Sequence, residues 1–130
     1  MKTLYILKGL PASGKSTWSR QKISETPNAY KRINKDDLRH MLDNDHWSNG
    51  NEKFVLKIRD LMIKAALSAG KHVISDDTNL SPRHEIRMRQ VVQSYCKETG
   101  EQVEIIVKFF DVDVEECIKR DLKRARSVGE

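Results

Sequence analysis

An α/β fold built on a four-stranded parallel sheet flanked by helices is predicted by two features of the chain. Four short strand-like runs alternate with longer segments of helical period, the pattern of parallel strands joined by crossover helices. A glycine-framed motif of the form G-x-x-x-x-G-K-[ST] follows the first of these runs directly and opens the first helical segment. With 130 residues and 38% hydrophobic content, the chain suits one domain, 1–130, with a single modest core.

The elements follow in order. The run Leu4–Leu7 is the first strand, and the helical segment after the motif contains Trp18. Ala29–Ile33 is the second strand, and Asp36 and Asp37 lie at the start of the helix that follows it. The polar stretch Asp43–Asn51 reads as a loop, in which His46 and Trp47 have no assigned role. From Phe54, the apolar positions Val55, Ile58, Leu61, Met62, Ala65, Ala66 and Ala69 follow i, i+3, i+4 and i+7 spacing, which predicts a helix with that face inward, ending at Gly70. His72–Ser75 is the third strand. Ser81 caps a further helix with Pro82 at its first position, Met88, Val92, Tyr95 and Cys96 on its inner face and Gly100 at its end. Val103–Phe110 is the fourth strand, and Asp113 with Glu116 is spaced as a capping box for a last helix whose Cys117, Ile118, Leu122 and Ala125 face inward.

A net charge of +5 and a pI near 9.3 favour polyanionic partners such as nucleic acid or nucleotides. Cys96 and Cys117 fall on predicted inner faces, which points to buried thiols in a reducing compartment rather than a disulfide or a metal site. No apolar run approaches the ~20 residues a membrane span needs, and Met1 is followed by a strand pattern rather than a signal-peptide core. A cytoplasmic protein with no membrane partner is expected, in the host cytoplasm if a phage encodes it. Oligomeric state is not legible.

Gly9-Leu10-Pro11-Ala12-Ser13-Gly14-Lys15-Ser16 satisfies the motif without a mismatch, and Thr17 follows. Its glycines permit backbone angles that turn successive N–H groups inward, and the helix behind adds its positive end. Gly9, Pro11, Ala12, Ser13, Gly14, Lys15, Ser16 and Thr17 are thus the expected cradle for the phosphates of ATP. Lys15 is expected to reach the β and γ phosphates, and Ser16 to place its hydroxyl on Mg²⁺. Two glycines with Lys and Ser at this spacing arise by chance in on the order of one chain in a hundred or fewer. A P-loop NTPase or kinase fold follows.

Open parallel sheets bind ligands beyond the carboxyl ends of their strands, where two acidic pairs lie: Asp36-Asp37 after the second strand and Asp76-Asp77 after the third. Asp36 and Arg39, three apart at a helix start, share a face and suit a hydroxyl beside a phosphate; they suit a helix cap equally well. Asp76 or Asp77 suits a contact to magnesium through water, or a turn beside Asn79. Arg120 and Arg124, four apart on the last helix with Arg126 beyond, suit charge neutralisation on a transferring phosphoryl group, or a solvated basic face.

Four blocks, Gly9 to Trp18, Ile33-Asn34-Lys35-Asp36-Asp37-Leu38-Arg39, Asp77-Thr78-Asn79-Leu80-Ser81-Pro82, and Phe110-Asp111-Val112 leading to Lys119-Arg120 and Lys123-Arg124, span nearly the whole chain. Together they resemble the kinase domain of the bacteriophage 5′-polynucleotide kinase/3′-phosphatase family, within the P-loop kinase superfamily. The resemblance implies a phosphotransferase that moves the γ-phosphate of ATP to a 5′-hydroxyl end of DNA or RNA, as in nucleic-acid end repair. It implies that Lys15 and Ser16 hold phosphate and magnesium, Asp36 is the general base, Arg39 contacts the acceptor's phosphate, Asp77 is an active-site carboxylate, and Arg120 and Arg124 are lid arginines on the donor.

Two departures stand out. Lys35 occupies a position where the phage enzyme has arginine, which keeps charge and loses bidentate geometry. The family also continues with more lid, another helix and usually a phosphatase domain, so a shortened kinase domain lacking the phosphatase is expected. The residues remain compatible with a P-loop kinase of a small hydroxyl compound (a nucleoside, a sugar or the acceptor of zeta-type toxins), and with an ATP-binding module that transfers nothing.

Overall fold

A computed structural model of the chain describes residues 1–110; the expected last helix, with Cys117, Arg120 and Arg124, lies outside the described residues. The order is β1 (Lys2–Lys8), α1 (Lys15–Glu25), β2 (Tyr30–Ile33), α2 (Lys35–Asp43), α3 (Asn49–Ser68), β3 (His72–Ser75), α4 (Pro82–Thr99) and β4 (Val103–Phe109). All strand pairs are parallel, as predicted for four strands, and their order is β2-β3-β1-β4. The two inner strands carry the buried runs, with Leu4, Ile6 and Leu7 on β1 and Val73, Ile74 and Ser75 on β3, as strands covered on both faces do. Helices α3 and α4 lay Val55, Ile63, Leu67, Met88, Val92 and Tyr95 into one core with Leu4, Ile6 and Val73. Cys96 is a free, half-buried thiol. Among the described residues, no helix is long and apolar enough to cross a membrane.

Helix α3 departs from expectation in two respects. It starts at Asn49 rather than Phe54, because Ser48 caps it, accepting the Asn51 N–H at 3.0 Å, and the end of the expected loop becomes the first helical turn. Its buried face consists of Val55, Arg59, Ile63, Ala66 and Leu67. At 3.6 residues per turn, that face is rotated by about 100° from the predicted stripe. Leu61 and Met62, expected inside, are 53% and 38% exposed. The centre of the true face is an arginine: Arg59 is fully buried, with Nε and Nη2 each donating to Asp60 Oδ1 at 3.2 Å. Asp60 in turn receives Arg87 from α4 at 2.7 Å.

The carboxyl end of the sheet is tied together by the turn after β3. Asn79 has no exposed surface, and its Nδ2 donates to Leu7 O at the end of β1 (2.8 Å) and to Ser75 Oγ (3.1 Å). Thr78 O accepts the Gly9 N–H at 3.0 Å. Asn79 also adopts a left-handed φ of 49°, which asparagine tolerates better than most residues. Asn79→Ala strands a buried carbonyl and puts a residue less tolerant of positive φ in that conformation, so urea unfolding should show a loss of about 2–3 kcal/mol. A loss below about 0.5 kcal/mol would show that this linkage does not bind the strands together.

Candidate active site

The chain leaves β1 and folds back between Gly9 and Gly14. Gly9 has no space for a side chain, since a Cβ there would stand 2.8 Å from Ser13 Oγ and 2.9 Å from Phe110 O. Ala12 and Gly14 take left-handed φ values of 63° and 105°, which turn the backbone around the loop. Gly14 caps α1 without a side chain, and no acidic residue stands in the first turn, so the helix end keeps its N–H groups and positive potential for an anion. Lys15, 7% exposed, lays its ammonium against the loop: Nζ donates to Gly9 O and Leu10 O, both at 2.7 Å, and lies 3.3 Å from Ser13 Oγ. Half-buried Ser16 and exposed Thr17 come next on the helix.

At the end of β2, Asn34 caps α2, its Oδ1 accepting the Asp37 N–H at 2.9 Å while its Nδ2 donates to Asp76 O at 2.7 Å. The two neighbouring carboxylates then diverge. Asp37 faces Arg32 at 3.2 Å, whereas Asp36, 85% exposed, accepts from Arg39 Nη1 at 2.6 Å. Arg39 is also gripped from the side: its Nε and Nη2 donate to the two oxygens of Glu52 on α3, at 2.9 and 2.6 Å. This fork, more than burial, holds the Glu52 carboxyl below its usual range, and it raises the guanidinium further.

The second acidic pair divides in the same way. Asp76, 1% exposed, is a structural partner, receiving Arg32 Nε at 2.5 Å. Asp77 Oδ1 accepts the Lys35 N–H at 2.8 Å, but its other oxygen is buried without a partner. Burial dominates there and pushes the Asp77 carboxyl up, against the pull of the Lys35 N–H and of the Lys35 and Arg59 charges. Burial likewise lowers Lys35, and His84 is pushed down to about 4 by burial and then by Lys35 and Arg59.

The expected residues Lys15, Ser16, Asp36, Arg39 and Asp77 thus all stand at the carboxyl edge of the sheet, while Arg120 and Arg124 lie outside the described residues. Sequence reading missed Glu52, Arg59, Arg32 and His84. Glu52 was detectable only by recognising Ser48 as a helix cap, which places it in the first turn of α3. Among the described residues, no group of three metal-ligating side chains comes together.

A family model described as an AAA domain matches residues 4–130. Two solved structures, described as the Pnkp1/Rnl/Hen1 complex and the Pnkp1/Rnl/Hen1 RNA repair complex, are each 35% identical, with TM-scores of 0.76 and 0.74. They cover 92% and 97% of this chain, which in turn spans 38% of the length of each of those chains. The APS kinase CysC of Mycobacterium tuberculosis, solved in complex with AMPPNP and APS, is 24% identical with a TM-score of 0.70, over 98% of this chain and 74% of that one. These likenesses place the fold among the P-loop kinases.

The two buried carboxylates should respond oppositely to neutralisation. Asp76→Asn weakens a charge-assisted bond to Arg32 and should cost about 2 kcal/mol. A carboxyl whose folded pKa is raised binds its proton more tightly folded than unfolded, so its ionisation lowers stability as pH rises through the raised value. Asp77→Asn should therefore raise the melting temperature at pH 7, with the gain shrinking as pH falls through the raised value and gone below about 4, the ordinary aspartate value. Melting curves across pH decide it; equal destabilisation by both variants would contradict the assignment.

Proposed function

The chain belongs to the AAA domain family, and on that footing we propose that it is an ATP-dependent kinase of 5′-hydroxyl ends of DNA or RNA. The observation that carries this reading is the start of α2, where the exposed Asp36 carboxylate sits beside Arg39, itself fixed by the Glu52 fork. A proton acceptor and a phosphate-binding cation are thereby presented side by side, one strand away from the phosphate loop. Further support comes from the 35% identity to a chain of an RNA repair complex and from the net charge of +5.

In this reading the 5′-hydroxyl oxygen attacks the γ-phosphorus, Asp36 takes the hydroxyl proton, the bond from the γ-phosphorus to the bridging oxygen breaks, and ADP leaves. The Asp36–Arg39 contact lies largely in solvent, where such pairs contribute about 0–1 kcal/mol, so freeing the carboxylate costs little. Arg39 keeps N–H groups beyond those given to Glu52 and Asp36, and these face a phosphate beside the reacting hydroxyl. Lys15, leaving the loop carbonyls, and the loop N–H groups hold the donor. Ser16 would hold magnesium, and the unpaired Asp77 oxygen fits a water of the metal's shell. When bound, the ion neutralises charge on the β and γ phosphates. Lid contacts from Arg120 and Arg124 complete the proposal.

Labelled ATP, magnesium and a 5′-hydroxyl oligonucleotide should yield 5′-phosphate product, with little transfer to a panel of nucleosides, sugars and nucleotide-sugars. Asp36→Asn should lower turnover by about 100-fold or more while ATP binding persists, and Arg39→Ala should raise the Michaelis constant for the oligonucleotide. If a bare nucleoside is phosphorylated as well as the oligonucleotide, without salt dependence, the acceptor is a small molecule; ATP binding with no product at all identifies a binding module.

A further inference from the structure

The outer surface of α3 and α4 has no part in the transfer just described. At 3.6 residues per turn, Lys53, Lys57 and Lys64 lie within an arc of about 40° on α3 and span roughly 16 Å of its axis. That arc faces α4: Lys64 Nζ donates to Ser94 Oγ at 3.3 Å and to Glu98 Oε1 at 3.4 Å, and Asp60, on the same side of α3, accepts from Arg87 Nε at 2.7 Å. Between the two helices runs a groove of about 370 Å³, lined by Lys57, Leu61 and Lys64 from α3 and by Arg87, Gln90 and Ser94 from α4. Arg83 stands one turn before Arg87, so the three lysines and two arginines meet only the carboxylates of Asp60 and Glu98 across these two faces. Lys53 and Lys57 are exposed and, among the described residues, make no hydrogen bond or ion pair.

The head of this stripe adjoins the acceptor side of the site. Arg39 is forked to Glu52 in the first turn of α3, and Lys53 is the next residue of that helix. We propose that the groove holds the acceptor strand beyond its reacting end, as an unpaired single strand running from Arg39 along Lys53, Lys57 and Lys64. What stands at the mouth of the groove rests on the kinase reading; the affinity of the groove for a single strand does not. A stacked strand carries one charge per about 3.4 Å, so the stripe spans about five phosphates, more than a dinucleotide supplies.

Apolar side chains beside the stripe favour a single strand over a duplex. Phe54 and Leu61, 49% and 53% exposed, stand about two turns apart along the border of the lysine arc. Unpaired bases present flat faces that stack on such a ring, whereas a duplex turns its bases inward and offers this surface phosphates alone. Gln90, exposed on the α4 wall, adds a neutral amide that suits base edges rather than phosphates. An acidic polypeptide would meet the same cations, and the continuity of the stripe with Arg39 is what favours the strand.

The test is fluorescence anisotropy of the full chain with a 3′-labelled dinucleotide and a 3′-labelled decamer, both bearing 5′-hydroxyl ends, across a salt series. The decamer should bind at least about tenfold more tightly than the dinucleotide, and Lys53→Glu combined with Lys57→Glu should remove that advantage. Lys53→Gln or Lys57→Gln alone should each lower the slope of log affinity against log salt by about 0.7. Phe54→Ala should weaken the single-stranded decamer about fivefold or more without a matching loss for a blunt duplex. A decamer no tighter than the dinucleotide, or one indifferent to Lys53 and Lys57, overturns the groove. A duplex that binds as tightly, or polyglutamate of equal charge that displaces the decamer as readily as unlabelled decamer does, overturns the single-strand assignment. Transfer to both lengths with equal Michaelis constants discards the groove alone; lysine-dependent decamer binding without transfer to any acceptor discards the kinase reading and keeps the groove.

Discussion

Both halves of the site depend on the turn from Asp76 to Asn79. Through Thr78 O and the Asn79 amide it holds Gly9 and Leu7, which set the phosphate loop; through Asp76 O and the Asp77 carboxylate it holds Asn34 and the Lys35 N–H, which set the start of α2. Because β3 lies between β1 and β2, one turn can reach both neighbours, and the phosphate loop and the start of α2 are placed relative to each other by hydrogen bonds of about 3 Å rather than by loop conformation. Parallel topology alone would bring these strand ends to one edge. It would not fix their spacing, and phosphoryl transfer relies on spacing.

The same region concentrates polar groups whose needs the fold does not meet. Among the described residues, four buried side-chain atoms lack a partner, and three of them belong to Asp77, Asn79 and Arg59. Such atoms are uncommon in folded proteins and oppose stability. The core of α3, α4 and the inner strands, with Leu4, Ile63, Leu67, Met88 and others fully buried, supplies what offsets them. Stability is thus built into the apolar layer, and the unpartnered Asp77 oxygen is kept at the edge of the sheet.

Much of this was legible in the sequence for local reasons. The phosphate loop follows from residues adjacent in the chain, and the strands from runs of apolar residues that only a sheet interior accommodates. Asp36 and Arg39 share a helix face by spacing alone, and the structure brings them together. What remained hidden depends on contacts between distant segments. Arg59 was passed over because periodicity ranks arginine as polar, yet Asp60 allows it to sit at the centre of the buried face. Glu52 lies 13 residues from Arg39, and nothing in either segment announces the fork. The different roles of Asp76 and Asp77 likewise come from Arg32, 44 residues before Asp76.

The position of Lys15 also bears on how the phosphate loop withstands cleavage. Its ammonium already closes the loop from within, occupying the Gly9 and Leu10 carbonyls. A glycine-bearing loop left unpinned is a preferred site of proteolytic nicking. Here the Lys15 side chain pins the turn from within, so a loop that its glycines would otherwise leave open is held shut against proteases.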